Sequence, residues 1–170
     1  VRAGKVDAAR AALEGILTDA PDDANALLLR SGLRFADGKF DDAIGDLRLV
    51  LEREKVDDDL IVVAGDNLFN KPLTEFGTYC RQCPGPVLGV IDVGSLDQAK
   101  KYGVVDVDKT GRLISFIEKP ANPASTLIGI ALYYYPKATL PLIHQYLAEG
   151  NNPDQPGRLI QWMYPKLAVH

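Results

Sequence analysis

A run of apolar residues that stops on a carboxylate sets the strongest limit on this chain. Leu60-Ile61-Val62-Val63-Ala64 places five apolar residues in a row, three of them β-branched. Such a run suits a central strand covered on both faces. Gly65 then lets the backbone turn or approach a ligand closely, and Asp66 arrives where the strand ends. In open α/β sheets, ligands and metals collect in the crevice beyond such strand ends. A carboxylate there can hold Mg²⁺ against substrate phosphates, so Asp66 is the first candidate metal ligand. The plain alternative is a strand closing in an ordinary Gly-Asp turn.

From about residue 57 onward, strand-like and helix-like segments alternate. The pattern predicts strands over 60–65, 86–92, 103–107, 112–117 and 127–135, and helices over 72–82, 95–101, 137–148 and 157–166. Asp108-Lys109-Thr110-Gly111 is a turn signal between two alternating runs, which predicts a β-hairpin over 103–117. The order indicates α/β architecture with antiparallel additions, hence a mixed sheet. The polar stretch 52–59 is the natural boundary between a segment 1–55 and a segment 56–170.

Residues 1–55 read as helical and repeat internally. Gly4, Ala9, Leu13 and Leu17 recur 34 positions later as Gly38, Ala43, Leu47 and Leu51. This period resembles a tetratricopeptide array, in which Gly38 would turn between paired helices and Leu47, Val50 and Leu51 would fill the seam. Lys55 replaces the closing proline of the second copy, and Arg30 and Arg34 stand at apolar or aromatic positions. About three repeats are usually needed to bury a continuous core, so this short array would have to lean on other sequence. The resemblance implies a concave peptide-binding face carrying Asn25 and Phe35; the alternative is that Phe35 simply fills the space between helices.

A chain of 170 residues can bury a sizeable core, and its 46% hydrophobic and 25% charged residues suit a globular domain. A net charge of −4 gives no support to binding of a nucleic-acid polymer or an acidic membrane. No apolar run approaches a membrane span and no signal peptide opens the sequence, which makes a cytoplasmic location the expectation. The opening at Val1, without an initiator Met, suggests a fragment or a processed product. Cys80 and Cys83 form a lone C-x-x-C at an expected helix end, far in sequence from His144 and His170. A four-ligand zinc site is not available there, and two ordinary thiols are the expected reading.

Three more landmarks join the Gly65-Asp66 strand: Lys101-Tyr102-Gly103-Val104-Val105, Phe116-Ile117-Glu118-Lys119-Pro120, and Gly129-Ile130-Ala131-Leu132-Tyr133-Tyr134-Tyr135. In this order and spacing, residues 58–170 resemble the sugar-1-phosphate nucleotidyltransferases, especially the glucose-1-phosphate thymidylyltransferase-like branch. The run from Glu149-Gly150-Asn151-Asn152-Pro153-Asp154 through Trp162 also fits that branch. The resemblance implies transfer of a nucleoside monophosphate from a nucleoside triphosphate to a sugar 1-phosphate, with pyrophosphate released. It implies Asp66 as the catalytic Mg²⁺ ligand, Gly103 against the sugar, Glu118 on sugar hydroxyls and Lys119 on the sugar phosphate. Tyr133 is implied as a wall of the sugar pocket.

One departure bears on activity. The family's glycine-rich triphosphate loop, G-G-x-G-T-R-L, has no counterpart in residues 1–57. A second metal carboxylate near the final helix is likewise not evident, and Gln161 stands near its expected place. The expectation is therefore an incomplete nucleotidyltransferase-type α/β domain behind a helical array, inactive by itself. The alternative is a protein-binding helical module fused to a non-catalytic remnant. An incomplete domain of this kind would also expose sheet edges and an apolar face.

Overall fold

The computed structural model describes residues 43–64, 67, 69–70 and 72–170, together with helical positions 11, 12, 15, 18 and 19. The regular elements run in the order α1 (Ala43–Arg53), β1 (Leu60–Val63), α2 (Thr74–Cys80), β2 (Val87–Asp92), α3 (Leu96–Ala99), β3 (Gly103–Val107), β4 (Leu113–Glu118), β5 (Leu127–Tyr135), a 3₁₀ turn (Lys137–Thr139), α4 (Pro141–Ala148) and α5 (Pro156–Met163).

β5 organises the sheet. Tyr134 pairs with Ile61 of β1 on one edge and Val87 of β2 on the other, and Ile128 lies between Val104 of β3 and Ile91 of β2. β1 and β3 therefore share one edge of β5, and β2 takes the opposite edge. The β3–β4 hairpin forms with Gly103 opposite Glu118.

Every pairing among the described strands is antiparallel, which corrects the mixed sheet expected from the sequence. The reason is topological. β1, α2 and β2 follow one another as strand, helix and strand, and β1 and β2 do run in the same direction. β5 lies between them, so they never share hydrogen bonds.

The two faces of β5 are sorted by its period of two. Tyr133 and Tyr135 point to one face, where their rings stack at 6.2 Å, and join a large core with Phe116, Ile143, Leu159, Ile160 and Met163. Tyr134 points to the other face, against Cys80 and Val87. At the start of β1, Asp59 accepts hydrogen bonds from the Tyr134 hydroxyl at 2.6 Å and the Lys137 N–H at 2.9 Å. Those two bonds hold its carboxyl below the usual range.

Helix α1 belongs to the main core. Ile44, Leu47 and Leu51 share one helical face, with Ile44 and Leu51 buried in the same cluster as Tyr135 and Ile143. The Ile44 N–H donates to the Pro153 carbonyl at 3.0 Å, tying α1 to the segment before α5. Val50, expected in a helix seam, points outward instead. The described part of residues 1–55 is this helix, the turn at 54–55 and helical positions 11, 12, 15, 18 and 19, and these residues do not show a tetratricopeptide hairpin array. Asn25 and Phe35 lie outside the described residues.

β1 also departs from expectation. Its burial alternates, with Leu60 and Val62 packed against the core while Ile61 and Val63 are 48% and 43% exposed. The apolar run is covered on one face, not two. Cys80 closes α2 and Cys83 lies in the following loop, both as free thiols, and burial, then Cys83, raises the Cys80 thiol to about 11. A thiol held so far above neutral pH is a poor nucleophile. No helix among the described residues is long and apolar enough to cross a membrane.

Candidate functional site

The hairpin register builds the site. Gly103 opens β3 and Glu118 closes β4 directly opposite, so the glycine's bare Cα faces the carboxylate. A Cβ on Gly103 would meet Glu118 Oε2 at 3.0 Å and Phe116 Cζ at 2.7 Å. The Gly103 backbone does not ask for glycine, because the left-handed glycines among the described residues are Gly94, Gly111 and Gly150. Close approach is the reason for Gly103.

The strand stops sharply after Glu118. Lys119 has φ of +45°, a left-handed conformation that costs a non-glycine residue of order 1 kcal/mol. Its N–H donates to the Tyr102 carbonyl at 3.0 Å, which pins the turn against the start of β3. Pro120 follows and can donate nothing to a ladder. The left-handed step breaks strand alternation, so Glu118 and Lys119 are not held to opposite faces of a continuing strand.

Glu118 is half-buried and Lys119 exposed, and neither takes part in an ion pair or hydrogen bond of its side chain among the described residues. Tyr133 lies buried close by. Burial, and secondarily the Glu118 charge, pushes its hydroxyl pKa far up. The site thus combines a half-buried acceptor carboxylate, a free ammonium and a neutral phenol, with the carboxylate and the Phe116 edge close against the bare Cα of Gly103. A carboxylate accepts hydroxyl protons and an ammonium offers a compact charge to phosphate. The arrangement can hold a polyhydroxylated compound bearing an anionic group.

Gly103, Glu118, Lys119 and Tyr133 are therefore brought into one neighbourhood. Asp66 lies outside the described residues, as do Asn25 and Phe35. The segment beside Asp66 is anchored on β5, where the Ala131 carbonyl accepts from the Ala64 N–H at 2.9 Å and from Asn67 Nδ2 at 3.0 Å. Among the described residues no group of three His, Cys, Asp or Glu side chains converges as a metal site, so no ligand set is assigned to Mg²⁺. Gln161 is exposed on α5.

Three contributors escaped the sequence reading: Asn67, Phe116 and Gly157. The first needs knowledge of where β5 runs. Phe116 looks like any core aromatic. Gly157 did carry a signal, being a glycine at the second position of a helix, where propensity disfavours it.

The sequence profile described as nucleotidyl transferase matches residues 37–161, beginning inside the segment read as a second helical repeat. The UTP–glucose-1-phosphate uridylyltransferase AglF of Haloferax volcanii is 27% identical over 96 residues, covering 56% of this chain and 40% of that protein. A glucose-1-phosphate adenylyltransferase of Dechloromonas aromatica is 25% identical over 175 residues, covering 83% of this chain and 39% of that one. In fold, the chain is similar to the solved structure of apo UDP-glucose pyrophosphorylase, with a TM-score of 0.61 at 18% identity. That likeness covers 75% of this chain and 50% of the other. The chain thus spans half or less of each of these proteins.

Proposed function

This chain belongs to the nucleotidyl transferase family, and we propose that it carries the sugar 1-phosphate-binding part of a sugar-1-phosphate nucleotidyltransferase. The observation that supports this most is the unpaired Glu118–Lys119 couple at the end of β4, with Lys119 in a left-handed conformation beside the bare Cα of Gly103. Unfavourable backbone geometry persists where the surroundings over-determine it, and such positions cluster at ligand sites.

In this reading Glu118 accepts hydrogen bonds from sugar hydroxyls, Lys119 neutralises the phosphate, and Gly103 leaves room for the Phe116 edge and the Glu118 carboxylate. Tyr133 stays neutral and closes the pocket floor. In a nucleotidyltransferase that also holds the nucleoside triphosphate, a phosphate oxygen of the bound sugar would attack the α-phosphorus and pyrophosphate would leave. The protein's share is positioning and charge stabilisation. Mg²⁺, carried over with Asp66, supplies offsetting charge when bound. Because the glycine-rich triphosphate loop has no counterpart in residues 1–57, these 170 residues bind the sugar phosphate without turning it over.

Titration of the ¹⁵N-labelled chain with glucose 1-phosphate, glucose and inorganic phosphate tests the proposal. Glucose 1-phosphate should shift the Gly103, Glu118 and Lys119 amides with a Kd on the order of 1 mM, a free energy near −4 kcal/mol. Lys119→Met should abolish the advantage of glucose 1-phosphate over glucose, and Glu118→Gln its advantage over phosphate. Shifts that ignore both substitutions would sink the assignment. Pyrophosphate release with any nucleoside triphosphate and glucose 1-phosphate would refute inactivity of the chain alone.

A further inference from the structure

Gly157 is the second residue of α5, directly after Pro156. Its φ is not left-handed, so the backbone there would accept any residue. An alanine would favour the helix by up to about 1 kcal/mol in an interior turn. Something other than local conformation must account for a glycine.

The reason lies across the sheet. A Cβ at Gly157 would meet Phe116 Cζ at 2.9 Å and Glu118 Oε2 at 3.6 Å. The same two atoms lie 2.7 and 3.0 Å from a Cβ built on Gly103. The edge of the Phe116 ring is therefore held between two bare Cα atoms, one on β3 and one on α5, with the Glu118 carboxylate alongside both. Phe116 and Glu118 are two apart on β4 and so lie on one face of the strand. The ring is buried and cannot retreat toward Gly103, where there is no spare room.

We infer that Gly157 is a positioning residue for Glu118: by admitting the Phe116 ring edge, it lets α5 seat beside β4 and sets where the carboxylate stands. This inference rests on the proposed role of Glu118 as the sugar-hydroxyl acceptor.

The test compares the wild-type chain with Gly157→Ala and with Gly157→Ala combined with Phe116→Leu, which shortens the ring that a new methyl would strike. Two readouts are taken: the ¹³Cδ resonance of Glu118 in a glutamate-labelled chain, and the Kd for glucose 1-phosphate. Gly157→Ala should move the Glu118 resonance and weaken binding about tenfold, and the double variant should return both, with Kd within about threefold of wild type. An unmoved Glu118 resonance in Gly157→Ala overturns the inference, as does a loss of affinity that Phe116→Leu fails to relieve. If the wild-type chain does not bind glucose 1-phosphate, the functional reading falls, while the Glu118 resonance still decides the positioning claim. If Gly157→Ala does not fold, a folded double variant with the wild-type resonance supports the contact, and an unfolded one overturns it.

Discussion

Gly103 and Glu118 stand directly opposite across the β3–β4 ladder, so close that a Cβ on the glycine would lie 3.0 Å from the carboxylate oxygen. One residue supplies space and the other supplies charge, and neither serves the site alone. Gly103→Ala should therefore act twice. The methyl would also strike Phe116 Cζ at 2.7 Å, so overpacking should cost about 1–3 kcal/mol in urea denaturation. Affinity for glucose 1-phosphate should fall along with it, as measured by NMR titration.

Lys119 should show opposed effects on stability and binding. Lys119→Gly removes the left-handed penalty at φ +45° and is expected to stabilise the fold by a few tenths to about 1 kcal/mol. Binding of glucose 1-phosphate should weaken at least about tenfold through loss of the ammonium. A urea midpoint that falls on Lys119→Gly would contradict the conformational argument.

Asp59 links stability to acid pH. Its folded pKa is lowered by the Tyr134 hydroxyl and the Lys137 N–H. The stabilisation is therefore present above the unfolded carboxyl value near 3.8 and is lost as pH falls through the lower, folded value. Asp59→Ala should cost about 1 kcal/mol at neutral pH, discounted for its exposure, and should flatten the loss of thermal stability below pH 4.

Tyr134 governs the alkaline side. Burial, and then its bond to Asp59, raises its hydroxyl from 10.0 to about 12. Its contribution is complete below the unfolded value and declines as pH rises through that window. Tyr134→Phe should lessen the fall in melting temperature between pH 10 and 12 relative to wild type, followed by circular dichroism.

Helix α1 can be tested as part of the core. Leu51→Ala should destabilise the whole α/β unit by about 2–4 kcal/mol, because Leu51 shares its cluster with Tyr135 and Ile143. Tryptophan fluorescence at Trp162 and far-UV circular dichroism should report one coincident transition. Separate transitions would show α1 to be independent of the sheet.

Local pattern was enough for much of this protein. The apolar alternation and turn residues of 103–117 specify a hairpin, and the run 127–135, apolar or aromatic at every position but Gly129, specifies a strand, because period and turn chemistry are properties of short segments. The family was legible differently, through the order and spacing of the short motifs around Gly103, Glu118 and Lys119. What local pattern could not decide was partnership. The run 60–64 reads as buried on both faces, yet Ile61 and Val63 are exposed, since coverage depends on what packs above a strand. The helix 43–53 reads as a repeat unit, yet its Ile44–Leu51 face enters the sheet's core. Strand direction followed from the order of elements, but only the insertion of β5 between β1 and β2 made every described pairing antiparallel. Gly157 illustrates the same division: its identity is written in the chain, and its reason, the edge of Phe116, exists only once α5 and β4 have met.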